Sequence, residues 1–111
     1  ASMTQFERGD VVLLAFPFTS SVGAKQRPAL VLLDSGDQDI LVARITTQSY
    51  ESPFDSTIQD WRAAGLLGQS IARLHKLAAV EKSLVRRQLG RISPADLAAI
   101  GIILQRAFGI T

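Results

Sequence analysis

The chain has 111 residues, 47% hydrophobic and 20% charged, with 12 Lys and Arg against 10 Asp and Glu for a net charge of +2. That describes one domain with a single modest core and excludes the compositional biases of disordered or fibrous chains. No apolar run approaches the roughly 18–20 residues that cross a bilayer, and zero cysteines exclude disulfides and thiolate metal sites, as a reducing cytoplasm would favour. A lone Arg8 before a broken apolar stretch makes a poor signal peptide. Ala1-Ser2 ahead of Met3 reads as a tag remnant, which leaves residues 3–111 as the single domain. The net charge is too small to argue for a nucleic-acid partner, but its distribution is uneven. Eight of the ten acids fall before residue 61, whereas Arg62 to Arg106 holds eight cations against Glu81 and Asp96, a weak pointer to a polyanionic partner.

In chain order, Phe6–Asp10 reads as a turn into a strongly apolar first strand, Val11–Phe16, which Pro17 ends because it cannot donate to a ladder. Ser20–Gln26 is a polar loop that delivers the chain to Arg27. Pro28 suits the first position of a strand and biases Arg27 toward an extended conformation. Ala29–Leu33 then reads as a strand buried on both sides. Asp34–Asp39 makes a tight reversal into a third strand, Ile40–Thr46. Its three aspartates resemble half of a calcium loop, but the distal bidentate glutamate is missing and a solvated hairpin turn is the expectation. Tyr50–Phe54 is a loop, Ser56–Ile58 a short strand, and Asp60–Ala64 a helical turn closed by Gly65. Gln69–Leu77 and Ala78–Val80 read as strands, and Glu81–Arg87 as either a helical turn or the start of a strand. The clearest helix starts at its N-cap Ser93 with Pro94 in first position and Asp96 in the first turn. It carries Leu97, Ile100, Ile103-Leu104 and Phe108 on one face and stops at Gly109.

The residues narrow the chemistry. Neither a metal-ligand cluster, nor a glycine-rich phosphate loop, nor a nucleophile elbow is visible, and the one histidine, His75, cannot supply a two-histidine acid–base pair. A satisfied, partly buried side chain is the plainer role for His75. What stands out is Arg27 at the start of strand two and Thr46 at the end of strand three. Asp34 back to Arg27 and Asp39 on to Thr46 each span seven steps, so an antiparallel pair places Arg27 opposite Thr46. A guanidinium is a planar fork of donors matched to phosphate oxygens, and beside a hydroxyl it can clamp a phosphoryl group. The plain alternative for Arg27 is a rim arginine in a surface ion pair.

Several segments occur in a recognisable order: G-D-V-V-L-L-A-F-P-F-T at Gly9–Thr19, R-P-A-L-V-L at Arg27–Leu32, I-T-T-Q-S at Ile45–Ser49, P-F at Pro53-Phe54, D-W-R-A-A-G-L at Asp60–Leu66 and K-S-L at Lys82–Leu84. Together they closely resemble the MazF/PemK-like toxins of type II toxin–antitoxin systems, over nearly the whole of Phe6 to Phe108. The resemblance implies a mainly β fold, a small SH3-like β-barrel with a C-terminal helix, usually assembled as a homodimer. The largely apolar terminal helix leaves a surface to cover, so Lys82–Leu89 and Leu97–Phe108 are expected to contribute the dimer contacts. It also implies a cytoplasmic, growth-inhibiting endoribonuclease without cofactor or metal. Such an enzyme cleaves single-stranded RNA through the 2′-hydroxyl, leaving 2′,3′-cyclic phosphate and 5′-hydroxyl ends. The family's catalytic arginine and threonine fall on Arg27 and Thr46. Gln48 falls in the RNA groove, as do Ser70 and Arg73, and Lys25, Thr47 and His75 join them as RNA-binding candidates. In this assignment Arg27 stabilises charge on the phosphorane, Thr46 bonds a nonbridging oxygen, and His75 or a water is the base. The chain departs from many relatives at Lys25-Gln26, where some carry an acid, and at Ser20, where many carry aspartate. The expected partners are mRNA and a cognate antitoxin whose acidic segment folds into the same groove.

Two other readings compete. A non-enzymatic protein of the same fold, such as a gyrase inhibitor or a silent RNA-binding homologue, has no need of both Arg27 and Thr46. An SH3-like peptide adaptor requires an aromatic groove, poorly supplied by one Trp and one Tyr.

Overall fold

The computed structural model describes residues 5–16 and 25–110, so the expected strand stop at Pro17 and most of the loop from Ser20 lie outside the described residues. Among the described residues, six antiparallel strands form one sheet: β1 Asp10–Phe16, β2 Lys25–Asp34, β3 Asp39–Thr46, β4 Asp55–Ile58, β5 Ser70–Glu81 and β6 Val85–Arg91. Their order across the sheet is β4-β5-β3-β2-β1-β6. A single 3₁₀ turn, Lys82–Leu84, joins β5 to β6, and one helix, α1, spans Pro94–Phe108.

Alternation along the strands sorts apolar side chains onto two faces. One face carries Val11, Leu30, Leu32, Ala43, Ile45, Ala72 and Leu74, on which Ile100 of α1 packs. The other carries Val12, Leu14, Ala29, Val31, Ile40 and Val42, covered by Phe6, Leu84 and Val85. The sheet curls strongly, as the barrel expectation requires, although its edge strands β4 and β6 do not pair. The turn after β4 reaches the opposite edge: a Cβ added at Gly65 (φ +81°) would stand 2.0 Å from the Leu89 carbonyl oxygen. Reciprocally, a Cβ at Gly90 would stand 2.6 Å from the carbonyl carbon of Ala64. Only glycine at both positions lets the two backbones meet.

The helix forms as its sequence dictates. Ser93 accepts from the amide of Asp96, Pro94 sits in the first turn, and Gly109 ends the helix in left-handed geometry at φ 67°. Buried Asp96, in the first turn after the Ser93 cap, ties the helix to the sheet. Its carboxylate accepts from the amides of Gln59 (3.1 Å) and Asp60 (3.0 Å), fastening α1 to the end of β4.

Two expectations need correction, the break within 69–80 and the place of Pro28. The 69–80 region is one long strand, interrupted by a bulge between the residues facing Ala43 and Arg44 rather than by a break. Of the two readings open for Glu81–Arg87, each holds for a part: Glu81 ends β5, Lys82–Leu84 is the 3₁₀ turn and Val85 starts β6. With only Val85 and Leu89 as apolar members, β6 is too polar to stand out in the sequence. Pro28 lies inside β2, not at its start. It is tolerated because Lys25–Pro28 pairs with β1 alone, so β2 is locally an edge there.

Candidate active face

Where β2 and β3 part defines the site. Asp34 pairs with Ile40, one residue away from the symmetric turn expected. A bulge between Val31 and Leu33 absorbs the difference, and the register resumes as Val31↔Val42, Leu30↔Ala43 and Ala29↔Arg44. The carbonyl of Leu32, at the bulge, accepts from Arg8 Nε at 3.1 Å. The ladder then stops. Arg27 and Thr46 therefore are not ladder partners, but each lies two residues beyond the last pair on the same face, on opposite lips of a split between the strands. Arg27 is exposed and is held from behind by its pairing with buried Leu14 of β1. Thr46 is half-buried beside Ile71 of β5, and its Oγ1 accepts from the amide of Gln48 at 3.1 Å.

From Thr46 a chain of contacts runs outward over exposed residues. The Tyr50 hydroxyl donates to Gln48 Oε1 at 2.7 Å, and the Arg73 guanidinium lies 3.6 Å over the Tyr50 ring. Arg73 Nε donates to Asp55 Oδ1 at 2.9 Å, across the β4–β5 pairing that sets the two residues opposite each other. Asp55 Oδ2 accepts from Ser52 at 2.9 Å. Burial alone would raise the Asp55 pKa, yet the bonds from Arg73 and Ser52 outweigh it and hold the group below its ordinary 3.8. Arg73 Nη2 lies 3.3 Å from His75 Nε2. Because guanidinium can only donate, that bond makes Nε2 the acceptor and puts the imidazole proton on Nδ1. The Phe54 ring packs beside His75 with centroids 5.5 Å apart.

The candidate residues thus divide. Lys25, Arg27, Thr47, Gln48 and His75 are exposed, and Arg73 is positioned by a buried carboxylate. Ser70 does not fit an RNA-groove role: it is 2% exposed, on the inward face with Ala72 and Leu74, and its hydroxyl donates to the Gly68 carbonyl. Sequence reasoning quoted Pro53-Phe54 without giving it a role, and it missed Tyr50, Ser52 and Asp55, which join the site through the same loop. It also missed Arg44, whose alternation with Thr46 along β3 was a usable signal. A cleft of about 600 Å³ between β4 and the start of α1, lined by Thr57, Gln59, Ser93 and Ala99, does not coincide with the Arg27–Thr46 split.

The fold is shared with solved structures. It superposes on the MazE–MazF structure from Deinococcus radiodurans with a TM-score of 0.76 at 23% identity, covering 95% of this chain and 97% of that one. An endoribonuclease from a mycobacterial species gives 0.75 at 19% identity, with 97% and 95% covered. Mycobacterium tuberculosis toxin MazF-mt6 gives 0.75 at 18% identity, with 92% and 98% covered. No curated protein matches the chain by sequence. The family model for the PemK-like, MazF-like toxins of type II toxin–antitoxin systems matches residues 7–108, and with that span covered the chain belongs to this family.

Proposed function

We propose that this protein is a metal-independent endoribonuclease that cuts single-stranded RNA on the face bearing Arg27 and Thr46. The observation that carries the reading is the split itself. An exposed guanidinium and a hydroxyl stand on either lip of one sheet face, with a second arginine and an aromatic cluster alongside. An open cationic face with exposed rings suits a single strand better than a deep pocket does. In the reaction the 2′-oxygen attacks the adjacent phosphorus and the bond to the 5′-oxygen breaks, leaving a 2′,3′-cyclic phosphate and a 5′-hydroxyl. Arg27 stabilises the charge that develops on the phosphorane, and the Thr46 hydroxyl donates to a nonbridging oxygen. Thr46 Oγ1 accepts from the Gln48 amide, and its own hydrogen stays free to donate. Since Nε2 of His75 accepts from Arg73, we assign removal of the 2′ proton to a water and return of a proton to the 5′-oxygen to solvent.

The same reading makes the protein a cytoplasmic toxin held in check by an antitoxin, as in the mycobacterial endoribonuclease solved with its cognate antitoxin, at 20% identity to this chain. No helix among the described residues is long and apolar enough to cross a membrane. An acidic antitoxin segment laid across Arg27 and Arg73 would exclude RNA, and its association should slow with added salt over a ~8–10 Å screening length.

The test is incubation with a long RNA in EDTA, mapping the ends produced. Arg27→Ala should keep its circular dichroism and lose ~10²–10³-fold in cleavage rate. Full cutting by that variant, or absence of cyclic-phosphate ends from the wild type, would overturn the assignment.

A further inference from the structure

Arg44 occupies a position that local electrostatics disfavour. On β3 it faces Ala29 of β2 on one side and Arg73 of β5 on the other. Like charges directly opposite across antiparallel strands destabilise a sheet. Arg73 is relieved by Asp55 and by the Tyr50 ring. Arg44 is exposed and has neither ion pair nor hydrogen bond among the described residues. It lies one pleat repeat from Thr46, ~6.5–7 Å along the strand, and diagonal to Arg27, about 7–8 Å away were the ladder to continue. Lys25, Arg27, Arg44 and Arg73 thus gather around the split, and the carboxylate bonded within this group, Asp55, is already taken by Arg73.

We infer that Arg44 is a substrate-binding residue that grips an RNA phosphate adjacent to the scissile one. It thereby fixes the strand's path across the split without reading its sequence. A phosphate at this point would offset the unrelieved charge of Arg44 beside Arg73 and present oxygens to its guanidinium fork. Arg27 is assigned the phosphate that reacts; Arg44 is assigned the one that holds the strand in place. This rests on the endoribonuclease reading above.

The experiment measures binding of an oligoribonucleotide carrying a 2′-deoxy substitution at the cut site, across a salt series, for wild type, Arg44→Gln, Arg44→Lys and Arg62→Gln. Arg62 lies over Trp61 and serves as the comparison cation. Losing one phosphate contact to a single strand should lower the slope of log K against log salt by ~0.7. Arg44→Gln is therefore expected to weaken binding several-fold at low salt and by less at high salt, for every sequence tried, and to raise KM more than it lowers kcat. Arg44→Lys should restore most of the slope, and Arg62→Gln should not change it. The thermal midpoint of Arg44→Gln should hold or rise, since a like-charge pair has been removed. If the wild type binds and cuts RNA while Arg44→Gln keeps its affinity and slope, Arg44 has no such role and the nuclease reading stands. A wild type that neither binds nor cuts RNA overturns both.

Discussion

At the scale of single residues, the candidate active face depends on buried carboxylates that hold its cations in place. Asp55 keeps Arg73 over Tyr50 from a site where its side chain is 4% exposed. Asp34 does comparable work at the other end of β2, accepting from the amides of Phe6 (2.7 Å) and Gly36 (2.9 Å) and lying 3.0 Å from Lys82 Nζ. For each, burial pushes the pKa up, but the hydrogen bonds and the neighbouring cation prevail and the net shift is downward from 3.8. A folded-state pKa below the unfolded one means stability that is fully present above the unfolded value and lost as pH falls through the folded one. The protein should therefore hold a plateau above about pH 5 and lose stability progressively below about pH 4. Asp55→Asn should flatten part of that acid limb while lowering the plateau, because Arg73 then loses a charged partner. Chemical denaturation at several pH values checks this, and an unchanged acid limb would remove Asp55 from the account. RNA affinity should fall in the same variant, since an unanchored Arg73 can leave the Tyr50 ring.

At the scale of elements, the curled sheet depends on glycines where the backbones of the Asp60–Gly65 turn and β6 touch. Gly65→Ala meets both a positive φ and the Leu89 carbonyl and should cost ~2–4 kcal/mol, a fall of roughly 10 °C or more in Tm. Gly90→Ala carries no positive-φ penalty and should lie nearer the lower end, so a melt of both variants ranks the two effects. Asp96→Ala, which leaves the amides of Gln59 and Asp60 without their acceptor, should cost ~2–4 kcal/mol and loosen α1 from β4, seen as faster amide exchange at those two positions. The sequence made the α1 termini legible because caps are local chemistry: Ser93, Pro94 and Gly109 each act within a turn of themselves. It also made the β2–β3 register legible near the site, since counting from the turn gives the sum that Ala29↔Arg44 obeys. The bulge that makes the count hold was not legible, nor was β6, whose pairing with β1 supplies what its own pattern lacks. Ser70 misled for a related reason: motif position placed it beside Arg73, but alternation along β5 turns it inward with Ala72 and Leu74. Tyr50 and Asp55 reach the site through tertiary contacts alone, which no spacing in the chain announces.

At the scale of the whole molecule, the question is what covers the apolar surface that folding leaves behind. Leu67 is fully exposed, and toward the end of α1 and just beyond it Ile102, Phe108 and Ile110 are 50%, 59% and 61% exposed. Nearby on the helix, Ile103 and Leu104 are only partly buried against the core. β6 is an edge strand with one side of its backbone unpaired, and Arg86, Arg87 and Gln88 line it. Charged side chains of this kind protect an edge from indiscriminate pairing, but they leave the helix end uncovered. A two-fold homodimer solves this with one self-complementary patch, because each copy supplies both the surface and its cover. Such a contact should bury about 1,200–2,000 Å² in total and draw on Lys82–Leu89 and Leu97–Phe108. Ile102→Glu together with Phe108→Glu places two carboxylates in that contact without touching the buried face of α1 that holds Ile100. The double variant should run as a folded monomer by light scattering, while the wild type at tens of micromolar runs as a dimer. Should the wild type be monomeric at that concentration, or the double variant remain dimeric, the helix end does not form the interface. If the RNA strand spans both copies, the monomeric variant should also bind RNA with a shallower salt dependence than the wild type, because it offers one cationic face instead of two.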